Sequence, residues 1–359
     1  MVKRNDKEEL PLQGFWFIVG AFAVVLSNVL NSTLSPLGAI LGKAGIGLVG
    51  YSSINLIGII NRVIQDGITS SEFDKICRRS IRTYEVSGEF PILIGTNVEG
   101  CISTAYRGSI DIVKIAKVRA YCDFLKTDKG NKFPPIVICT GRSQGYVELL
   151  AQILGLANDD LDVPFIIEMG AAVYYPFSKI TKSRLNQEDE LLMHNIKSVL
   201  KKELSDIEFE PKSFIVTVNP FKTETVDKLY EKIFKLLSKQ GLADMVEIIR
   251  GNTAVDITPK RINKISALEK VVEDYTRSKC NEAKNLKSIV YIAESSGDIE
   301  IINKVKRAYC SESEATPEVK QRVKDEFGEN HILKKKDIDV FLTVLEETCG
   351  VKVVKSYKV

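Results

Sequence analysis

The sequence predicts an α/β protein: a parallel sheet with helices on both faces, interrupted by a smaller α/β module and preceded by two apolar segments. Three observations carry this reading. Beyond residue 90, short apolar runs alternate with amphipathic stretches, the pattern of strands buried on both faces. Short polar groups follow several of those runs immediately, at the strand ends where ligands of such sheets bind. The first 66 residues hold two long stretches almost without charge.

Residues 14–30, GFWFIVGAFAVVLSNVL, contain no charge, and from 37 to 61 the only charge is Lys43. Asn31 to Pro36 forms a turn-like break between them. About 20 apolar residues span a bilayer as a helix. The second stretch carries Gly38 and Gly42 and then Gly45, Gly47 and Gly50, and small residues let membrane helices approach closely. Charges lie before the first stretch and after the second, so the expectation for residues 1–66 is a membrane hairpin with both ends on one side. Asn28, Asn31 and Asn55 leave open a pair of helices buried in a soluble assembly. Asp6, Glu8 and Glu9 argue against a transit peptide. Residues 67–89 read as a linker or short helix.

The core reading follows in order. Strands are expected at 91–96, 136–139, 165–167, 288–293 and 308–310, and helices at 109–125, 144–154, 264–276 and 298–307. Residues 177–250 break the alternation with their own unit. It comprises a helix at 188–204, a strand at 213–218 and a helix at 225–240 closed by Gly241. Strands at 245–249 and 253–257 then flank the turn Gly251-Asn252. The core therefore runs over 90–176 and 251–359, with the inserted module between.

Composition narrows the function. The 359 residues are 44% hydrophobic and 27% charged, a folded chain's balance with room for two domains. The net charge of +3 and the lack of a basic stripe with interleaved aromatics exclude nucleic acid as an expected partner. Lys334 to Lys336 reads as a solvated turn. The seven scattered cysteines contain no CxxC and read as reduced intracellular thiols. His194 and His331 are too far apart in sequence to support a zinc site or a histidine-based triad.

Four polar groups sit at strand ends. They are Asn97-Val98-Glu99-Gly100, Thr140-Gly141-Arg142-Ser143, Lys264 at a helix start, and Glu294-Ser295-Ser296-Gly297-Asp298. Acid pair, hydroxyl, lysine and acid pair are what phosphoryl transfer through a carboxylate needs. One group attacks phosphorus, a nearby acid protonates the leaving oxygen, a hydroxyl and a lysine hold phosphoryl oxygens, and clustered carboxylates hold Mg2+. Each motif alone is an ordinary strand-to-turn or helix-start sequence; their joint order is the signal.

In that order the chain resembles the haloacid dehalogenase (HAD) superfamily, in the branch with an inserted α/β cap such as the mannosyl-3-phosphoglycerate and sucrose-phosphate phosphatases. The matching stretches are TNVEGCIS, VICTGRS, PFIIEMGAAVYYP, DITPKRINKISALEKVVE and YIAESSGDIEIINKV, followed by a helix start at Ala315 to Lys320. The resemblance covers about residues 90–347 and implies a Rossmann-like core with a cap. It places Asn97 at the nucleophile position and Glu99 at the general acid/base position. Thr140 and Gly141 fall at the phosphate loop, and Lys264 beside the nucleophile and phosphoryl group. Glu168, Met169 and Gly170 fall near the substrate and cap, and Glu294 and Asp298 at the Mg2+ acids.

The chain departs from the family pattern at these positions. Asn97 replaces the nucleophilic aspartate, and an amide oxygen is a poor nucleophile without charge for a metal. Glu99 and Glu294 are each one methylene longer, Ala293 replaces a glycine, and Met169 and Gly297 replace asparagines. The leading expectation is therefore a catalytically degenerate HAD-fold protein at a membrane, serving as an accessory or structural subunit among other membrane proteins. An organellar, mitochondrial respiratory complex is one setting. The alternatives are a membrane-tethered Mg2+-dependent phosphatase of a small sugar or glycerate phosphate, and a phospholigand sensor without turnover.

Overall fold

Alternation of wholly buried apolar strands with helices produces a five-stranded parallel sheet. Its order is Ile332–Leu333, Arg307–Ser311, Val290–Ala293, Ile94–Thr96, Ile136–Ile138. These strands belong to a computed structural model that describes residues 79–86, 89–103, 110–156, 163–205, 207–220, 224–251, 253–280 and 282–355. The membrane hairpin expected within 1–66 lies outside the described residues, as does most of the expected linker. Among the described residues no helix is long and apolar enough to cross a membrane.

Side chains alternate across the sheet because successive strand residues face opposite sides. Ile292 joins Ile94, Ile136, Val118 and Phe341 in one apolar cluster. Its neighbours Tyr291 and Ala293 join Leu268, Val272 and Ile301 in the other. Helices Ile112–Leu125 and Ile338–Cys349 supply the first layer, and Lys264–Cys280 supplies the second. Gly95 is dictated by this packing, since a Cβ there would lie 2.6 Å from the Tyr291 ring. The missing side chain at 95 lets that ring lie over the neighbouring strand Ile94–Thr96, with its hydroxyl reaching Asp298.

Phe165–Ile167 continues the sheet through a parallel bridge between Cys139 and Ile166. It then turns antiparallel into Ala172–Tyr175 and Ile180–Ser183. The inserted module is an antiparallel sheet ordered Ile207–Phe209, Val216–Pro220, Val255–Pro259, Val246–Arg250. Helices Gln187–Glu203 and Val226–Lys239 cover one face. Ile196, Leu200, Leu229 and Ile233 meet Val216, Val218, Val255 and Ile257 there. Asn186 starts the first helix with a reciprocal capping box to Asp189, and Thr225 caps the second.

Three expectations change. The cap does not end at 250, because Val255–Pro259 is an inner strand of its sheet. Placing the boundary at the turn split a hairpin whose two strands need each other. The helix expected over 298–307 is one turn, Ile299–Ile302. Lys306 N–H donates to Ile289 O at 3.0 Å and draws the chain back into the sheet. Within the expected linker, Arg79–Thr83 is a strand paired antiparallel with Val351–Lys355. That partner lies at the other end of the sequence, so no local period announces it. The five cysteines described as free are all buried.

Candidate active site

The parallel strands deliver four loops to one end of the sheet, and the cap faces them. Asn97 follows Ile94–Thr96, Thr140 and Gly141 follow Ile136–Ile138, Glu294 follows Val290–Ala293, and Lys264 opens Lys264–Cys280. Asn97, Glu99, Gly141, Met169, Lys264 and Glu294 line a cavity of about 90 Å³. Thr140, Glu168, Gly170 and Asp298 are outside its lining and support it from behind.

Asp298 is the hub. Its Oδ1 accepts from Lys264 Nζ at 2.9 Å and from the Tyr291 hydroxyl at 2.9 Å. Its Oδ2 accepts the backbone N–H groups of Glu294 at 2.9 Å and Ser295 at 3.2 Å, and the Asn97 amide Nδ2 at 3.4 Å. Burial opposes the charge on Lys264, but Asp298, Cys139 and the hydrogen bond to Asp298 outweigh it and raise its pKa. Burial, then Asp298, raises Tyr291 well above its ordinary value and keeps it a donor. Burial, then the charge of Asp298, pushes Glu294 up to about 8 against the pull of Lys264.

Asn97 completes the arrangement. Its Nδ2 donates to Glu294 Oε2 at 3.4 Å as well as to Asp298, while its Oδ1 accepts the Val98 N–H at 2.8 Å. The amide hydrogens therefore face the acids, and the amide oxygen is engaged by its own turn. An aspartate in this place would bring a third carboxylate. As the chain stands, Glu294 holds a proton near neutral pH and the charges of Asp298 and Lys264 cancel.

The residues do not fit Mg2+. A carboxylate offers about four lone-pair sites, and Asp298 already receives five donors. Among the described residues no group of three or more His, Cys, Asp or Glu is placed to hold a metal. Mg2+ is usually held by one or two charged carboxylates together with waters and substrate phosphates, whereas here Glu294 holds a proton near neutral pH and Asp298 is occupied by its donors.

Glu99, at the acid/base position, is held on both oxygens, by an ion pair with Arg142 and by the Thr140 hydroxyl at 3.4 Å. Thr140 also accepts the Arg142 N–H at 3.2 Å. Both thus build the loop wall. Glu168 serves the cap by accepting the N–H groups of Ser213, Phe214 and Ile215. The Gly170 carbonyl accepts from Arg184 at 2.8 Å. Sequence reading gave no role to Tyr291 and Asp256, although each opens one of the matching stretches, nor to the cap residues Glu210, Lys212 and Thr217, which no motif marks. Burial raises Asp256, while Lys212 and a 2.5 Å bond from the Thr217 hydroxyl oppose that rise.

Met169 links two departures. A Cβ at Gly297 would lie 2.7 Å from its methyl, and one at Gly141 would lie 3.1 Å from its sulfur. The thioether fills the space that a side chain at 297 would take. Met169 also holds a left-handed φ of 57°, which asparagine tolerates better. Gly297→Asn alone should destabilise by about 1–3 kcal/mol through overpacking. Adding Met169→Asn should recover about 1 kcal/mol or more beyond additivity, as read by urea denaturation of the double-mutant cycle.

Glu294 supplies a pH test. Its folded pKa lies above the unfolded one, so the folded state binds more protons between about pH 4.5 and pH 8. Stability from this group is present at the acid end of that window and lost as pH rises through it. Relative to Glu294→Gln, the wild type should lose on the order of 2–4 kcal/mol from the acid to the alkaline end, read as denaturation midpoints of both proteins.

The fold is similar to that of solved structures that include a sucrose-phosphatase and a HAD/COF-like hydrolase. The sucrose-phosphatase of Synechocystis sp. PCC6803, solved with sucrose and phosphate, aligns over 72% of this chain and 98% of its own, at 15% identity and a TM-score of 0.51. A HAD/COF-like hydrolase from Plasmodium vivax aligns over 73% and 96%, at 12% identity and 0.52. A Thermoplasma acidophilum protein aligns over 72% and 99%, at 13% identity and 0.52. No family model matches the sequence, and no curated protein matches it. At these identities the likeness concerns the fold.

Proposed function

We propose that this chain is a HAD-fold protein without phosphatase turnover, serving as an accessory or structural subunit of a membrane assembly. The observation that carries the first part is the orientation of Asn97. Its amide hydrogens face Glu294 and Asp298 and its oxygen is tied to Val98, so residue 97 presents no carboxylate to the cavity. Lys264 is spent on Asp298 rather than on an incoming phosphoryl group. Covalent phosphoryl transfer requires a nucleophile at that strand end, and Glu99, the next acid along it, is paired with Arg142 and Thr140.

The membrane part of the proposal rests on sequence. Residues 14–61 carry a single charge, Lys43, over a length that suits two spans, and the glycines suit protein neighbours. A mitochondrial or other organellar membrane is the proposed setting, with other membrane proteins as partners.

Turnover is tested with purified full-length protein, Mg2+ and a panel of sugar and glycerate phosphates. Phosphate release should not exceed that of Lys264→Ala. Release that requires Mg2+ and is abolished by Lys264→Ala would establish the phosphatase instead. Alkaline carbonate extraction of native membranes tests the anchor: the chain should stay in the membrane pellet, and full release would overturn that part. Co-purification from those membranes should bring other membrane proteins with it.

A further inference from the structure

The pocket lies where the cap faces the core loops, so movement of the cap away from them would enlarge it. In this chain the segment leading into the cap strand Val216–Pro220 is tied to the core twice. The Glu168 carboxylate, wholly buried, accepts Ser213 N–H at 3.0 Å, Phe214 N–H at 2.7 Å and Ile215 N–H at 3.2 Å. Lys212, its side chain 4% exposed, donates to the Gly141 carbonyl at 2.6 Å and pairs with Glu210 at 3.2 Å. At the far edge of the cap sheet, the Ser296 hydroxyl donates to the Arg250 carbonyl at 3.4 Å. The cavity under these ties measures about 90 Å³. Pockets for drug-sized organic ligands run to about 300 Å³ and more.

We infer that the cap is latched onto the core by Glu168 and Lys212, so that cap and core behave as one rigid body and the pocket between them stays too small for a sugar phosphate. Two features favour a standing latch over a transient contact. Glu168 holds a left-handed φ of 46°, a conformation that persists where the surroundings over-determine it, and here three amide bonds do so. Charge-assisted bonds such as these are also stronger than neutral ones. The inference deepens the inert reading above, yet it fails separately: a cap that opens on a protein without turnover would overturn the latch alone.

Amide hydrogen exchange on the full-length chain tests it. The amides of residues 213–215 should exchange as slowly as those of Val290–Ala293, with or without added sucrose phosphate. Glu168→Gln should speed residues 213–215 by ~100-fold and leave Val290–Ala293 unchanged. Lys212→Met should act in the same direction by ~10-fold, and it carries the test should the Glu168 variant not fold. Exchange of residues 213–215 at open-loop rates in the wild type would overturn the latch. So would unchanged exchange in the variants that fold.

Discussion

Asp298→Ala is expected to destabilise this protein by about 3–5 kcal/mol, the range for breaking a buried ion pair and leaving one charge alone. The substitution strands Lys264, whose side chain is 1% exposed, together with the Tyr291 hydroxyl and two backbone amides that now donate to Asp298. A residue whose main duty was to hold a metal would behave differently, since its loss removes charge repulsion among neighbouring acids and stabilises a metal-free protein. Asp298→Asn keeps the shape and should fall between. Urea denaturation in EDTA, with the slope checked for a constant denatured state, reads both. A stabilised Asp298→Ala protein would show that the hub is a vacated ligand site.

Asn97→Asp should also destabilise, by about 2–4 kcal/mol on the alkaline side, because it sets a new carboxylate against Glu294 and Asp298. The direction with pH follows from Glu294, raised to about 8. A carboxylate at 97 would raise Glu294 further, so on the acid side Glu294 keeps a proton and can donate it to the new carboxylate. On the alkaline side, three negative groups surround Lys264. The loss should therefore be small near pH 6 and grow toward about pH 9. A loss independent of pH would mean that Glu294 does not share the site with residue 97. The substitution alone should not restore turnover, since Met169 and the five donors on Asp298 remain.

The sheet and the cap were legible because their signals are local. Runs such as ILIG and IVYIA are short and apolar, and the helices between them are amphipathic. Arg79–Thr83 was not legible, because its pairing partner lies at the other end of the chain. Of the residues singled out by motif order, the structure brings Asn97, Glu99, Gly141, Met169, Lys264 and Glu294 around one cavity. The roles of Glu168 and Asp298 could not be read that way, since they depend on which backbone amides face them across the fold. Asp298 illustrates the point. Its place in the pattern reads as a metal acid, while its five donors make it the acceptor at the centre of a hydrogen-bonded cluster. Met169 and Gly297 read as two separate departures in sequence and form one packing event in space.

The most direct test of this account compares thermal denaturation of the full-length protein in excess Mg2+ and in EDTA. A ligand at about 100 times its Kd stabilises the folded state by about 2.7 kcal/mol, so a working metal site would raise the midpoint. A site already neutralised by Lys264 and filled by Asn97 predicts the same midpoint in both. An Mg2+-dependent rise in the wild type that Glu294→Gln abolishes would contradict the account.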